Sequence, residues 1–493
     1  MKGLLIILLV LGISPVKAQV SLNLEKCREM ALESSKKMSI ATKQGEKAEF
    51  ERKAYRANFL PKLSATGLYA YMQKKSSFTI DGGYLPTFVP DANGELVYNL
   101  YIDPATKLPV MGKDGRPLSA QYAFMPDIEL ELGLRGVYSA GAMLEQPIYM
   151  GGKIRSAYRM ATIGKEMSEL NKQYTRAEVI TEADEAYWQY LRVVELVTSA
   201  QKYKAVVNEL VRNLTDAYET GMASRNDLLK AQVKLNEAEL MLQKAENGKA
   251  LAGMNLCRVI GIDLYSTIQV SDSLYDEVTP GVLNAGEGLQ QRPEYNLLEK
   301  DVELKEKQVA LTRSDFLPEV GVSASYGFSG GISLNGQTED VASFTAMASV
   351  KIPIYHWGEG RGKIKAMKAE QEMSRLKKEE MSQMMLLEIA RARYNIEDCH
   401  TRVILTRKSL SQAEENLGVS KNQYEVGMET ITNYMEAQAQ WQKAWSDWID
   451  AKAELRLSET RYLKATGRLI GTIGFMWWNQ EYRSAEVGYS LSR

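Results

Sequence analysis

"YEVGMETITNYMEAQ", residues 424–438, has a near copy earlier in the chain, "YETGMASRNDLLKAQ" at residues 218–232. The two phrases align without a gap at an offset of 206 residues and share Tyr, Glu, Gly, Met, Ala and Gln. Each reads as a helix, a glycine turn and a second helix. Other markers keep the same offset: "PIY" at Pro147 and Pro353, "EMSEL" at Glu166 and "EMSRL" at Glu372, and the glycines closing "RVIG" (Gly261) and "KATG" (Gly467). Stretches 147–261 and 353–467 are therefore two copies of one unit, and an internal repeat of this size organises the whole reading.

Upstream of each unit lies a second matching pair, "FLPKLSATGLYAY" from Phe59 and "FLPEVGVSASYGF" from Phe316, at an offset of 257. The first copy thus holds about 51 additional residues, near 76–126, a stretch rich in Gly, Pro, Asn and Asp that reads as long loops with a hairpin.

Around this insert the hydrophobic period is two. Ile128, Leu130, Leu132, Leu134, Tyr138, Ala140, Ala142 and Leu144 alternate with Glu129, Glu131, Arg135, Ser139 and Gly141. Val320, Val322, Ala324, Tyr326 and Phe328 alternate with Gly321, Ser323, Ser325 and Gly327, as do Phe344, Ala346, Ala348 and Val350 with Thr345, Ser349 and Lys351. The stretch 63–75 is a weaker fourth case. Such alternation fits either a sandwich with one wet face or a barrel with lipid outside and a polar lumen. Strand length, with Tyr69, Tyr71, Tyr138 and Tyr326 near strand ends, favours the barrel. Four strands are too few to close one, so the barrel reading requires several copies of the chain.

Between the strands lie long proline-free runs, residues 151–221 and 358–427. As single helices each would be about 100 Å long, more than a compact core needs. After each Tyr-x-x-Gly the chain returns with a seam of spacings three and four: Leu228, Ala231, Leu235, Ala238, Leu242, Ala245, and then Tyr434, Ala437, Trp441, Ala444, Trp448, Ala451, Leu455. Large residues facing small ones at a and d positions read as helix packing. The return legs stop at Gly261 and Gly467, so a separate helix, 24–58 or 287–315, is expected to complete each run back towards the strands.

The first residues, "MKGLLIILLVLGISPVKAQ" (1–19), have the charged start, apolar run and small cleavage residues of a secretory signal. Its removal after residue 18 would take the formal charge from −1 to −3, because Lys2 and Lys17 leave. That weak balance argues against nucleic acid. Cys27, Cys257 and Cys399 make no disulfide framework and read as buried apolar residues. His356 and His400 form no metal-ligand spacing and no catalytic set, so no cofactor is expected. "GEGRGK" (358–363) has Trp357 where a phosphate-binding loop needs Gly, so its glycines read as a strand-to-helix turn.

Taken in order, "SLNLEKCREMALESS" at the expected mature start, the two FLP strands, the two PIY-Gly helix starts and the two Tyr-x-x-Gly turns resemble the TolC family of outer-membrane efflux proteins. The resemblance spans nearly the whole chain after residue 18. It implies an α+β membrane protein without enzymatic activity: a homotrimer with four strands per protomer in one twelve-stranded barrel, continued by a long helical periplasmic barrel. The implied layout is a signal peptide (1–18), a first repeat (19–261), an equatorial linker (262–286), a second repeat (287–467) and an equatorial tail (468–493). The implied partners are outer-membrane lipid, a periplasmic adaptor and an inner-membrane pump of RND, ABC or MFS type. The chemical rivals are a periplasmic coiled-coil scaffold, which needs no alternating strands, and an adaptor, which needs one hairpin rather than two.

The resemblance places the adaptor-docking tips at Tyr218, Gly221, Met222, Gly427 and Met428, and the periplasmic gate at the same turns. The family's latch Asp falls on Asp227 and its Tyr on Tyr424. Its Arg falls on Glu429, which cannot pair with Asp227; Arg225 is expected to reach Glu429 instead. The family's acidic entrance positions fall on Asn433 and Glu436, and three Glu436 carboxylates would form a cation-favouring ring.

Overall fold

The computed structural model describes residues 20–71, 76–133, 135–275, 288–331, 333–334, 337–338 and 340–469. The expected signal peptide, the end of the linker (276–286) and the tail from 470 lie outside the described residues. The first repeat contains β1 (Val20–Leu22), α1 (Leu24–Ser34), α2 (Lys36–Ala57), β2 (Lys62–Tyr71), β3 (Ser76–Ile80), β4 (Gly83–Pro86), β5 (Phe88–Pro90), β6 (Leu96–Tyr98) and β7 (Tyr122–Met125). It continues through β8 (Ile128–Gly133), β9 (Arg135–Met150), α3 (Lys153–Glu219) and α4 (Arg225–Ile260). After β10 (Ile268–Val270), the second has α5 (Pro293–Ser314), β11 (Glu319–Gly330), β12 (Ser333–Leu334), β13 (Gln337–Thr338), β14 (Val341–Lys351), α6 (Glu359–Glu425) and α7 (Ile431–Ala465). The chain divides into two compact units that cut across the repeats: a strand unit (56–154 and 314–357) and a helical unit comprising the rest.

In the strand unit, β14, β11, β9 and β2 form an antiparallel sheet in that order. Paired residues share a face, so the register tests the alternation read from the sequence. One face carries Leu63, Ala65 and Tyr69 opposite Leu144, Ala142 and Tyr138, then Ala324, Tyr326 and Phe328 opposite Ala346, Phe344 and Ala342. The other carries Ser64 and Thr66, Ser139 and Gly141, Ser323 and Ser325, and Ser349 and Thr345. Leu63, Tyr69, Tyr326 and Phe344 remain 60–74% exposed, a contiguous apolar surface that a water-soluble sheet would cover. On the polar face Gly141 and Gly327 touch, and a Cβ on Gly141 would lie 3.0 Å from Gly327 Cα.

The strand expected over 127–147 is instead two strands, β8 and β9, with Gly136 at φ +77 where they meet. A second sheet begins there with the matching order β13-β12-β8-β3. The four strand lines thus run through both tiers. Gly331 (φ +83) packs on the Gly136 carbonyl so tightly that a Cβ would lie 2.2 Å from its oxygen. A long strand pattern cannot show this bend, because the side-chain alternation continues through it.

The insert is more ordered than the expected loops. β4 pairs β7, β5 pairs β6, and isolated bridges join Leu100 to Ser119, Ile102 to Pro109 and Met111 to Pro117. Tyr101 N–H donates to Leu118 O, Leu118 N–H to Val110 O, and Val110 N–H to Tyr101 O, so three segments close on each other.

In the helical unit, α3 and α6 each run 67 residues, about 100 Å at 1.5 Å rise. Gly358 caps α6 in the left-handed region (φ +85), whereas Gly360 and Gly362 lie inside the helix, so one glycine of "GEGRGK" makes the turn. The helix expected over 24–58 breaks at Ser35, whose extended backbone ends α1 before α2 starts. α1 meets α3 through Arg28–Asp184 at 2.6 Å, and α2 lies along α3: Lys37 Nζ bonds Glu182 at 2.9 Å, Lys165 Nζ reaches Glu49 at 3.1 Å, and Arg52 bonds the Tyr158 hydroxyl at 3.1 Å. α4 meets α3 on the same level, where Arg258 reaches Glu182 at 2.9 Å. α5 and α7 border α6 in the same manner, through Lys305–Glu370 (3.1 Å) and through Ile396 packed on Leu455 and Tyr462. On the seams, Ala231, Ala238, Tyr434, Ala437, Trp441, Ala451 and Leu455 are buried as the heptad reading requires.

The linker holds a strand the sequence did not announce. β10 pairs parallel with β1, and Asp272 just beyond it accepts from the Leu24 backbone N–H (2.9 Å) and the Tyr187 hydroxyl (2.7 Å). Beside it, the fully buried Asp184 takes both Nε and Nη2 of Arg28 at 2.6 Å and the Thr460 hydroxyl at 2.7 Å, joining α1, α3 and α7. Cys27 is buried here and Cys257 is buried in α4, while Cys399 is half-buried.

Candidate gate and docking tips

Each Tyr-x-x-Gly phrase is a helix stop followed at once by a helix start. In the first, Gly221 N–H donates to Tyr218 O (3.0 Å) and Met222 N–H to Ala217 O (2.7 Å). In the second, Gly427 N–H donates to Tyr424 O (3.0 Å) and Met428 N–H to Gln423 O (2.8 Å). These are paired Schellman closures with glycine in the left-handed region, φ +76 and +77. The next helix starts from Ser224 or Thr430, whose hydroxyl accepts the backbone N–H of Asp227 or Asn433. The repeated phrase is therefore stop glycine, exposed methionine, one residue, then an N-cap and its partner three residues on. Met222 and Met428 are 80% and 82% exposed, so each tip presents a thioether to its surroundings.

Asp227 and Asn433, proposed from the resemblance as gate and entrance positions, hold equivalent places in the two caps. The Ser224 hydroxyl donates to Asp227 Oδ2 at 2.7 Å, and Lys230 lies 3.7 Å from Asp227 Oδ1. Burial, and then the charge of the Asp227 carboxylate, hold the Tyr424 phenol above its usual pKa, so the first hairpin's Asp acts through space on the second hairpin's Tyr. Tyr424 also stacks on the buried Tyr434, with centroids 5.4 Å apart and planes 18° apart. Under these groups Leu210, Leu214 and Ala231 of the first hairpin pack with Ile431, Tyr434 and Met435 of the second, so the tips share one core.

The expected Arg225–Glu429 bond is not formed among the described residues of one protomer. Glu429 Oε2 instead accepts the hydroxyl of Ser420, a buried residue nine positions back on α6, at 2.5 Å. The short tip lets Glu429 fold back over its own helix, while Arg225 stays exposed. Near the tips, Lys421 and Glu209 form an ion pair between the hairpins at 3.4 Å. Glu436 is exposed on α7 and accepts from Gln440 at 3.2 Å. Ser420 and the two caps escaped the sequence reading, and Tyr434 entered it only as a seam residue. The shared pattern Ser/Thr-x-x-Asp/Asn was the signal for the caps; nothing local marked Ser420.

A strand sheet with one exposed apolar face and open edges, joined in the chain to paired helices of this length, is the build of an outer-membrane efflux channel. The family model for outer membrane efflux proteins matches residues 119–261 and 285–468, and the chain belongs to that family. Among its relatives is the pyoverdine export outer membrane protein OpmQ of Pseudomonas aeruginosa, 21% identical over 350 residues, with 69% of this chain and 70% of OpmQ covered. The outer membrane efflux protein BepC of Brucella suis is 22% identical over 353 residues, covering 67% and 72%. The solved Campylobacter jejuni CmeC outer membrane channel shares the fold at a TM-score of 0.67 and 17% identity, over 90% of this chain and 86% of that one. The solved CusC matches at 0.70 and 12% identity, over 91% and 92%. The protein is thus an outer-membrane transport channel with a helical periplasmic part, and its family is not enzymatic.

Proposed function

We propose that three copies of this chain close one twelve-stranded barrel and a helical tunnel, and that the assembly exports small molecules or proteins handed over by an adaptor and an inner-membrane pump. The observation that carries the reading is the pair of open edges. β2 and β14 are the outer strands of the four-stranded sheet and, three alternations apart, run in opposite directions. β14 of one copy can therefore pair with β2 of the next and keep every contact antiparallel. Closure by copies removes the edges and leaves a continuous apolar face for lipid.

On this reading the six exposed-methionine tips of a trimer dock the adaptor, and Asp227, Tyr424, Glu429, Asn433 and Glu436 line the closed entrance. OpmQ is a pyoverdine export protein and AprF of Pseudomonas aeruginosa an alkaline protease secretion protein, which supports a broad cargo range. Purified protein is expected to run as a heat-modifiable trimer and to conduct in planar bilayers. In cells, a photo-crosslinking residue at Met222 or Met428 is expected to capture a periplasmic adaptor. A monomer without conductance would overturn the channel assembly; a conducting trimer that captures no adaptor would overturn the docking role.

A further inference from the structure

The sheet built on β4–β7 and β5–β6 has a surface unlike that of a solvated loop. No charged residue occurs in 83–90, 96–102 or 117–126; the insert's charges, Asp81, Asp91, Glu95, Asp103, Lys107, Lys113, Asp114 and Arg116, all lie outside these runs. Paired rings occupy the body. Tyr84 and Phe124 lie opposite each other with centroids 5.4 Å apart, yet are 73% and 66% exposed. Phe88 and Tyr98 are paired at 4.5 Å and are 50% and 56% exposed.

A small β ribbon of this kind is marginal in water without a layer packed on its face. Among the described residues of one protomer the insert's segments bond one another edge to edge, Thr87 N–H to Gln121 O and Tyr101 N–H to Leu118 O among them, and the rings stay exposed. The ribbon emerges from the end of the sheet opposite to the one that leads into α3 and α6. Both tiers have matching strand order and open edges, so closing the lower tier with copies carries three ribbons around the same axis. Pro86 and Pro90 lack donors, which disfavours strand addition along β4 and β5. Contact through side-chain rings is what remains.

We propose that the three ribbons of a trimer pack on one another through Tyr84, Phe124, Phe88 and Tyr98 and narrow the external mouth of the channel. The occupant of each aromatic face is the same face of a neighbouring copy. This rests on the trimeric reading above, and the test separates the two. In the full-length protein carrying Cys399→Ser, so that the remaining native Cys27 and Cys257 are both buried, Tyr84→Cys and Phe124→Cys are each expected to give inter-copy disulfides on mild oxidation, above the background of the Cys399→Ser parent. The fourfold variant with Ser at Tyr84, Phe124, Phe88 and Tyr98 is expected to keep its heat-modifiable trimer band and to raise single-channel conductance at least 1.5-fold.

An intact trimer with neither crosslinks nor a conductance change would overturn the packing of ribbons while leaving the channel reading in place. Crosslinks lost in favour of protection by added lipopolysaccharide or glycan would likewise overturn it, assigning the rings to an external ligand. Wild-type protein that never forms a trimer would defeat both, and the gel band identifies that case before any ribbon variant is made.

Discussion

Asp227 sits where two functions meet. As cap partner of Ser224 it stabilises the start of α4, and as the anion acting on Tyr424 it belongs to the expected gate. The second repeat shows how to separate them, because Asn433 fills the same cap position without charge. Asp227→Asn is expected to keep the cap and alter only gating. Asp227→Ala keeps the backbone N–H that Ser224 caps but loses the carboxylate that the Ser224 hydroxyl bonds, and should also cost about 0.5 kcal/mol of local stability, visible as faster hydrogen exchange over 224–232. Equal exchange in both variants would rule out the capping role. The buried Asp184 offers a larger effect. Asp184→Asn leaves the Arg28 guanidinium buried without its anion and should cost about 3 kcal/mol or more, read as a lower melting temperature of the assembled protein. Cys27 is pushed up to about 12, chiefly by burial and then by Asp272 and Asp184. A raised thiol pKa leaves little thiolate at pH 8, so maleimide should label Cys27 only after unfolding; prompt native labelling would refute its burial.

Turns and helices were legible in the chain for a physical reason: each is written locally. Turn glycines and heptad seams are set by residues within a few positions, so the repeated phrase announced both hairpins. The break at Ser35 was not legible, since no proline or glycine marks it; Asp272 and Arg28–Asp184 contacts across the fold hold α1 separately. β10 hid for a similar reason, being three residues long and paired with the distant β1. The bend between β8 and β9 was masked by unbroken alternation, with Gly136 and Gly331 as its only trace. Those glycines carry the prediction at this scale. Gly331→Ala must place a Cβ 2.2 Å from the Gly136 carbonyl at positive φ, which no side-chain motion relieves. The variant should assemble poorly, with a reduced heat-modifiable fraction, whereas Gly164→Ala, inside α3 where a Cβ meets no atom within 4 Å, should assemble nearly as wild type.

The whole molecule was more readable than its gate, because fold follows from repeated patterns and the gate from a handful of side chains. Period-two alternation, confirmed by register across four strands, needed no identity at any single site. The latch did: Glu429, where the resemblance placed an Arg, turns back to Ser420, a contact invisible to spacing arguments. What survives at the entrance is charge. Of the two positions expected to be acidic, Glu436 alone carries a carboxylate, and it is exposed, with one neutral partner in Gln440. In a trimer three such groups would face a common axis, and like charges gathered there attract cations and repel anions by Coulomb's law, more strongly at low salt. Glu436→Gln preserves size and the bond to Gln440 while removing all three charges. Its single-channel reversal potential in a salt gradient should therefore move towards zero, by the largest amount below about 0.1 M salt where the screening length exceeds 10 Å. If the potential stays at its wild-type value at every salt concentration, Glu436 is a solvated helix-face residue and selectivity resides elsewhere along the tunnel.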